Sequence, residues 1–212
     1  MGIITALTNQ KRNPNRINVY IDDEFAFGLA AITAVSLRVG QTVTAAEINT
    51  LQKADQLEKA KQSAIRFITY RPRSTAEVQQ NLQKKGFNDD VIAQAVTRLE
   101  EADLLDDAAF ARFWVEQRET FKPRSHFALR QELRQKGVSE YMIDNILTSV
   151  DETAAARRAA QKKLYHWQKL PQNEFSAKLG AYLQRRGFSY SIIRDVLDEM
   201  WQTVSSSTTQ TD

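Results

Sequence analysis

The chain has 212 residues, with 29 Lys and Arg against 26 Asp and Glu, a formal net charge of +3, no cysteine and two histidines. A hydrophobic content of 42% is enough for a core, no window holds the 18 or more apolar residues of a membrane span, and residues 1–30 lack a secretory pattern. A folded, cytoplasmic protein with no membrane partner is expected, and zero cysteine excludes disulfides, thiolate zinc sites and cysteine nucleophiles. His126 and His166 are too few and too far apart in sequence for a histidine metal cluster. Seven Gly and four Pro make about 5% of the chain against roughly 12% on average, which favours long helices. The glycines stand at 2, 28, 40, 86, 137, 180 and 187, too widely spaced for either glycine-rich phosphate loop.

In chain order, Ile3, Thr5 and Leu7, then Ile17, Val19 and Ile21, then Phe25, Phe27 and Leu29 alternate with polar neighbours, which is the period of strands. Asp22-Asp23 suits a hairpin turn, and Lys11-Arg12-Asn13-Pro14-Asn15 suits a loop. Residues 30–38 and 44–61 return to helical composition, with Thr44-Ala45-Ala46-Glu47 reading as a capping box. This predicts an N-terminal β-hairpin or three-strand cap with helices over 1–52.

The remainder repeats. Leu82-Gln83-Lys84-Lys85-Gly86, Leu133-Arg134-Gln135-Lys136-Gly137 and Leu183-Gln184-Arg185-Arg186-Gly187 are one pattern spaced by 51 and 50 residues. Five, six, nine, ten and thirteen residues after each glycine stand only apolar side chains: Val91, Ile92, Ala95, Val96, Leu99; Met142, Ile143, Ile146, Leu147, Val150; Ile192, Ile193, Val196, Leu197, Met200. Those steps draw one face of a helix. Asn88, Ser139 and Ser189 are placed to cap it, and each glycine suits the left-handed position that closes the helix before. Leucine or valine four and eight residues before each glycine marks the inner edge of that preceding helix, and Pro72, Pro123 and Pro171 end a still earlier one. The fold expected is mainly α: three tandem three-helix repeats over 53–105, 106–150 and 151–204, stacked through shared apolar surface as an elongated array. Residues 205–212, polar and without apolar anchors, are expected to be disordered.

Enzymatic chemistry finds no residues to stand on. The pairs Asp22-Asp23, Asp89-Asp90 and Asp106-Asp107 sit at turns or helix starts, where carboxylates complement the helix dipole, and no nucleophile elbow or metal-ligand motif occurs. Phe110, Phe113, Trp114 and Trp167 could stack on unpaired bases, but at helical spacing they read as core.

Charge placement says more than net charge. Basic and acidic residues number 6 and 6 over 1–60, 7 and 8 over 61–108, 7 and 5 over 109–150, and 9 and 7 over 151–212. Within each repeat the acids crowd the third helix, and the bases flank the second. A tandem helix-turn-helix reader would place that acidic helix in the major groove, against phosphate, so sequence-tolerant DNA binding stays the alternative reading. The candidate binding residues are Arg71, Arg73, Lys84, Lys85, Lys122, Arg124, Arg130, Arg134, Lys136, Arg185 and Arg186. Of these, Arg71, Arg73, Lys122 and Arg124 precede a helix, where the dipole disfavours cations, which points to a partner.

These residues resemble one family, the RecX regulatory proteins, bacterial modulators of the RecA recombinase. The resemblance rests on the three Leu-x-x-[Lys/Arg]-Gly turns, on Leu105-Asp106-Asp107-x-x-Phe110-Ala111-Arg112, on Arg71-Pro72-Arg73-Ser74, and on Ile17 to Leu29, which is similar to the N-terminal extension of Gram-positive members. It implies a monomer without enzyme activity or cofactor that binds RecA filaments on single-stranded DNA and lowers recombinase and coprotease activity in DNA repair. Contact with single-stranded or duplex DNA is left open. The third repeat departs from the pattern, with Pro171-Gln172-Asn173 where the first two have Pro-Arg-Ser.

Overall fold

A computed structural model describes residues 1–208; the last part of the expected disordered tail, 209–212, lies outside the described residues. Strands β1 (Gly2–Gln10), β2 (Asn13–Ile21) and β3 (Glu24–Ala30) form antiparallel hairpins, and a two-residue β4 (Thr42–Val43) pairs with the start of β1 to give the order β3-β2-β1-β4. Asp22 and Asp23 turn the second hairpin with φ of 49° and 67°, both positive as a right-twisted two-residue turn requires, and the Asp22 carboxylate accepts the Ile3 N–H at 2.9 Å. The expected loop 11–15 shrinks to the turn Lys11-Arg12. Pro14, which cannot donate to a ladder, falls in the irregular stretch between the pairs Asn9–Ile17 and Gln10–Asn13.

The inward face of β1 differs from the alternation in the sequence. A bulge between Ile4 and Ala6 inserts one unpaired residue, so Ile4 is buried and Ile3 is 48% exposed, although Ile3, Thr5 and Leu7 alternate in sequence. Ile4, Val19, Leu29, Leu37 and Val43 form the cap's core, against which Leu7, Ile17, Ile48 and Leu51 pack. The short helix α1 (Ala31–Ala34) lies between the sheet and α2 (Ala45–Thr69).

Helix α2 runs unbroken through residue 52, where the cap is expected to give way to the first repeat. Its complete Thr44–Glu47 capping box starts a 25-residue helix whose first half packs on the sheet and whose second half supplies Leu57, Ala60 and Ala64 to the first repeat. Asp55, buried midway along α2, ties the two together. Its carboxylate accepts the Ala30 N–H at 2.7 Å, both Arg16 terminal nitrogens at 3.1 Å, and Lys59 Nζ at 2.9 Å. Burial pushes this carboxyl up, but the hydrogen bonds from Arg16, Lys59 and Ala30 together outweigh it and hold it below the usual carboxylate range.

The repeats follow the sequence period. Helices α3 (Thr75–Lys84) and α4 (Asp89–Glu100) complete the first; α5 (Asp107–Phe121), α6 (His126–Gln135) and α7 (Glu140–Leu147) make the second; α8 (Glu152–Trp167), α9 (Gln172–Gln184) and α10 (Tyr190–Thr208) make the third. Gly86, Gly137 and Gly187 all close a helix at positive φ, 82°, 78° and 89°. Asn88, Ser139 and Ser189 cap the next helix by accepting the N–H of Val91, Met142 and Ile192. Val78 and Leu82, Leu129 and Leu133, and Leu179 and Leu183 are each at most 1% exposed, under the apolar face of the third helix. Helix α10 continues four residues past the expected start of disorder at 205: Val204 is buried, and the Ser205 and Ser206 hydroxyls donate back to carbonyls one turn earlier.

The chain divides into two compact units, Met1–Asp106 and Asp107–Asp212. Within the second, the buried apolar residues of repeats 2 and 3 form separate clusters, so the shared apolar surface expected between neighbours is replaced by polar contacts.

Two results follow from these contacts. A Cβ at Gly86 would meet nothing within 4 Å, whereas one at Gly187 would lie 2.5 Å from the buried Ser125 Oγ. Gly86→Ala therefore costs only its left-handed strain, about 1–2 kcal/mol, and Gly187→Ala costs measurably more in urea titrations. Asp55→Ala destabilises by roughly 2–3 kcal/mol at neutral pH because it strands Arg16. The folded pKa of Asp55 is depressed, so its contribution is full above the unfolded value of about 3.9 and fades as pH falls through the lower folded one. The melting-temperature gap between parent and variant stays constant down to about pH 4 and closes below it.

Candidate partner interface

The candidate basic residues sit in the turn before each glycine, in the loop before the second helix of repeats 1 and 2, and, as Arg130 and Arg134, along α6. The residue immediately before the glycine folds back onto its own repeat every time. Lys85 Nζ donates to Ser63 Oγ of α2 at 2.6 Å, Lys136 Nζ stands 5.1 Å from the centre of the Trp114 ring of α5, and the Arg186 guanidinium lies 4.5 Å over Tyr182 of α9. One residue earlier, Lys84 and Arg185 are exposed at equivalent positions of repeats 1 and 3, and Gln135 takes that place in repeat 2.

The loops before the second helices are also divided. Arg71 grips both oxygens of Glu77, in the first turn of α3, at 2.9 and 3.1 Å, so the cation disfavoured by the helix dipole has a counterion on the same helix. Glu77 thereby serves Arg71, while Ser74 Oγ accepts the Glu77 N–H. The Arg73 guanidinium carbon lies 4.0 Å from the centre of the Phe67 ring, and burial, then the neighbouring Arg71, pushes the guanidinium down from the ordinary value. Arg124 stands 3.6 Å from Glu132 and donates to the Arg185 carbonyl at 3.3 Å. In return Arg186 donates to the Pro123 carbonyl at 2.9 Å, and the Ser125 N–H donates to the Arg186 carbonyl at 3.2 Å. Lys122 is exposed beside them.

Repeat 2 neutralises itself. Arg130 contacts Glu140 at 2.9 Å and Asp144 at 2.5 Å, and Arg134 also contacts Glu140, so the basic face of α6 is zipped to the acidic start of α7. Hydrogen bonds to Asp144 and Glu140 push Arg130 up, the bond to Glu140 does the same for Arg134, and Glu140 is lowered chiefly by Arg134. The aromatics weighed for base stacking are mostly committed. Phe110 is buried, Trp114 donates its indole N–H to Glu132 at 2.8 Å, and Trp167 meets Tyr182 edge to face. Tyr70 and Phe121, one residue before Arg71 and Lys122, are among the exposed rings, with Phe25, Phe127, Tyr141, Tyr165 and Tyr190. Phe121 sits in the last turn of α5, past the packed stretch.

Of the eleven sequence candidates, Arg71, Arg73, Lys85, Arg124, Arg130, Arg134, Lys136 and Arg186 thus hold side-chain contacts within the chain, and the side chains of Lys84, Lys122 and Arg185 are exposed and make no hydrogen bond or ion pair among the described residues. Sequence reasoning missed Glu77 and Glu132 as internal counterions. The signal for Glu77 was present as an acid six residues after Arg71, but Glu132 receives Arg118 and Trp114 from another helix. Among the described residues no cluster of three His, Asp or Glu side chains is placed to hold a metal, and no helix is long and apolar enough to cross a membrane.

A small sheet followed by repeated three-helix modules, with cations recurring at their turns, is a modular, mainly helical architecture. The chain belongs to the RecX family of regulatory proteins. Family models described as the regulatory protein RecX N-terminal domain and as the first, second and third RecX three-helix domains match residues 2–44, 60–99, 106–147 and 151–197. The chain is 33% identical over 205 residues to the regulatory protein RecX of Bacillus subtilis, covering 94% of this chain and 78% of that one. It is 34% identical over 206 residues to that of Clostridium botulinum (strain Eklund 17B / Type B), covering 94% and 96%. A crystal structure of regulatory protein RecX superposes with a TM-score of 0.75 at 25% identity, covering 93% of this chain and all of that one. A crystal structure of RecX from Lactobacillus salivarius, at 21% identity and a TM-score of 0.60 over 69% of this chain and 97% of that one, shares the fold. The N-terminal match ends at Thr44, the residue that caps α2.

The geometry separates the cations by their cost. Arg124→Ala and Arg186→Ala each lower unfolding free energy by about 1–2 kcal/mol, because each removes a charged donor from a carbonyl, while Lys84→Ala, Lys122→Ala and Arg185→Ala stay within about 0.5 kcal/mol in the same urea titrations.

Proposed function

We propose that this chain binds the RecA filament assembled on single-stranded DNA and modulates it, mostly by inhibiting its ATP hydrolysis, strand exchange and coprotease activity. Membership of the RecX family supports this reading. The observation that carries it to residues is the recurrence of exposed cations at matching turns, Lys84 and Arg185, with Lys122 in a loop before a second helix. A partner that repeats its own surface is met by a chain that repeats its cations, and opposite-sign charge on the partner would steer and orient the encounter. On this reading the protein works as a monomer in the cytoplasm, with no catalytic residue or cofactor of its own, and it acts by opposing the subunit rearrangements that ATP turnover requires.

The candidate set therefore narrows. Lys84, Lys122 and Arg185 are proposed to meet the partner directly. Arg71, Arg73, Lys85, Arg124, Arg130, Arg134, Lys136 and Arg186 support the loops and turns that present them. The triple variant Lys84→Ala, Lys122→Ala, Arg185→Ala weakens binding to RecA-coated single strands by about tenfold or more in an equilibrium binding assay, with helicity and melting temperature unchanged. Undiminished affinity in the triple variant removes these residues from the interface. Preference of the parent for bare duplex over the coated strand would replace this reading with direct DNA binding.

A further inference from the structure

Repeats 2 and 3 are held together differently from the cap and repeat 1, which share one helix and the buried Asp55. No helix spans residues 148–151 between α7 and α8, and the apolar residues on either side close separate cores. What joins them is a set of polar contacts: charged donors on carbonyl oxygens, an ion pair, the Ser125 N–H on the Arg186 carbonyl, and the His126 N–H on Glu152 at 3.2 Å. To the reciprocal pair Arg124–Arg185 carbonyl and Arg186–Pro123 carbonyl are added Lys162 of α8, which donates to the Thr120 and Phe121 carbonyls at 2.5 and 3.2 Å, and Arg158, which pairs with Glu119 at 2.6 Å. Lys162 sits where the dipole of α5 favours a cation. Gly187 gives the close fit, since it lies against Ser125 at a distance that leaves no room for a Cβ.

We propose that this junction is a latch. It opens about the linker 148–151 while both repeat cores stay folded. The polar groups it releases are the charged side chains, the carbonyls, and the Ser125 and His126 N–H groups, all of which water can take up, and the buried apolar residues of the two repeats form separate clusters, so separation does not open either core. The exposed Lys122 and Arg185 stand on opposite sides of the latch, one on each repeat, and opening makes their separation adjustable. Arg124 and Arg186 are accordingly positioning residues for that pair of cations.

The chain has no cysteine, so a single labelled pair reports the junction directly. Asn145→Cys on α7 and Asp198→Cys on α10, both exposed in the parent, are spin-labelled and their distance distribution is measured by electron paramagnetic resonance. The latch predicts one narrow distribution in this background. It predicts a broadened distribution with a longer component when Arg124→Ala and Arg186→Ala are added, at unchanged far-ultraviolet helicity. Should the alanine pair fail to fold, Arg124→Lys with Arg186→Lys, which keeps the charge but loses the guanidinium fork, is read in the same way. A distribution as narrow as the parent's, or a broadening that appears only together with lost helicity in both variant pairs, overturns the proposal.

Discussion

Each repeat depends on one backbone event, the left-handed glycine that stops the second helix and sends the chain into the third. With positive φ at Gly86, Gly137 and Gly187, the next two residues reach a capping Asn or Ser, and the third helix starts in a register that lays its apolar face over the paired Leu or Val of the second. An L side chain with a Cβ resists that conformation, so the turn, the cap and the core of a repeat stand or fall together. The same event fixes the charges. The cation next to the glycine is carried back over its own repeat, and the one before it is carried out to solvent, which divides adjacent Lys84-Lys85 and Arg185-Arg186 into a supporting and a presenting residue.

Most of this was legible in the sequence because it is local. The steps from each glycine to Leu99, Val150 and Met200, the Thr44–Glu47 capping box and the Asp22-Asp23 turn are set by residues within about one helical turn or one face, and periodicity reads such relations well. The rest was hidden because it is non-local. The bulge at Thr5 reverses which residues of β1 face inward, and nothing in the alternation of Ile3, Thr5 and Leu7 announces it. The use of Asp55 by Arg16 and Ala30 joins residues up to 39 apart in sequence, and the clasp of Arg124 and Arg186 joins residues up to 63 apart. A count of charges along the chain treats all such arginines alike.

That difference matters most for the interface. The helix-dipole argument correctly found cations in unfavourable places, but the structure answers three of the four within the chain: Arg71 with Glu77, Arg73 with Phe67, and Arg124 with Glu132 and a carbonyl, leaving Lys122 exposed. Repeat 2 goes furthest, since the acids of α7 neutralise the bases of α6. The proposed partner surface is therefore narrower than the sum of basic residues, and it lies on turns whose geometry the glycines set.

The proposed role as a modulator of RecA is tested most directly by the steady-state rate of ATP hydrolysis of RecA assembled on single-stranded DNA, measured with increasing amounts of this chain. The account predicts a rate that falls and saturates. A rate unchanged at concentrations where the chain is bound to the filament would contradict it.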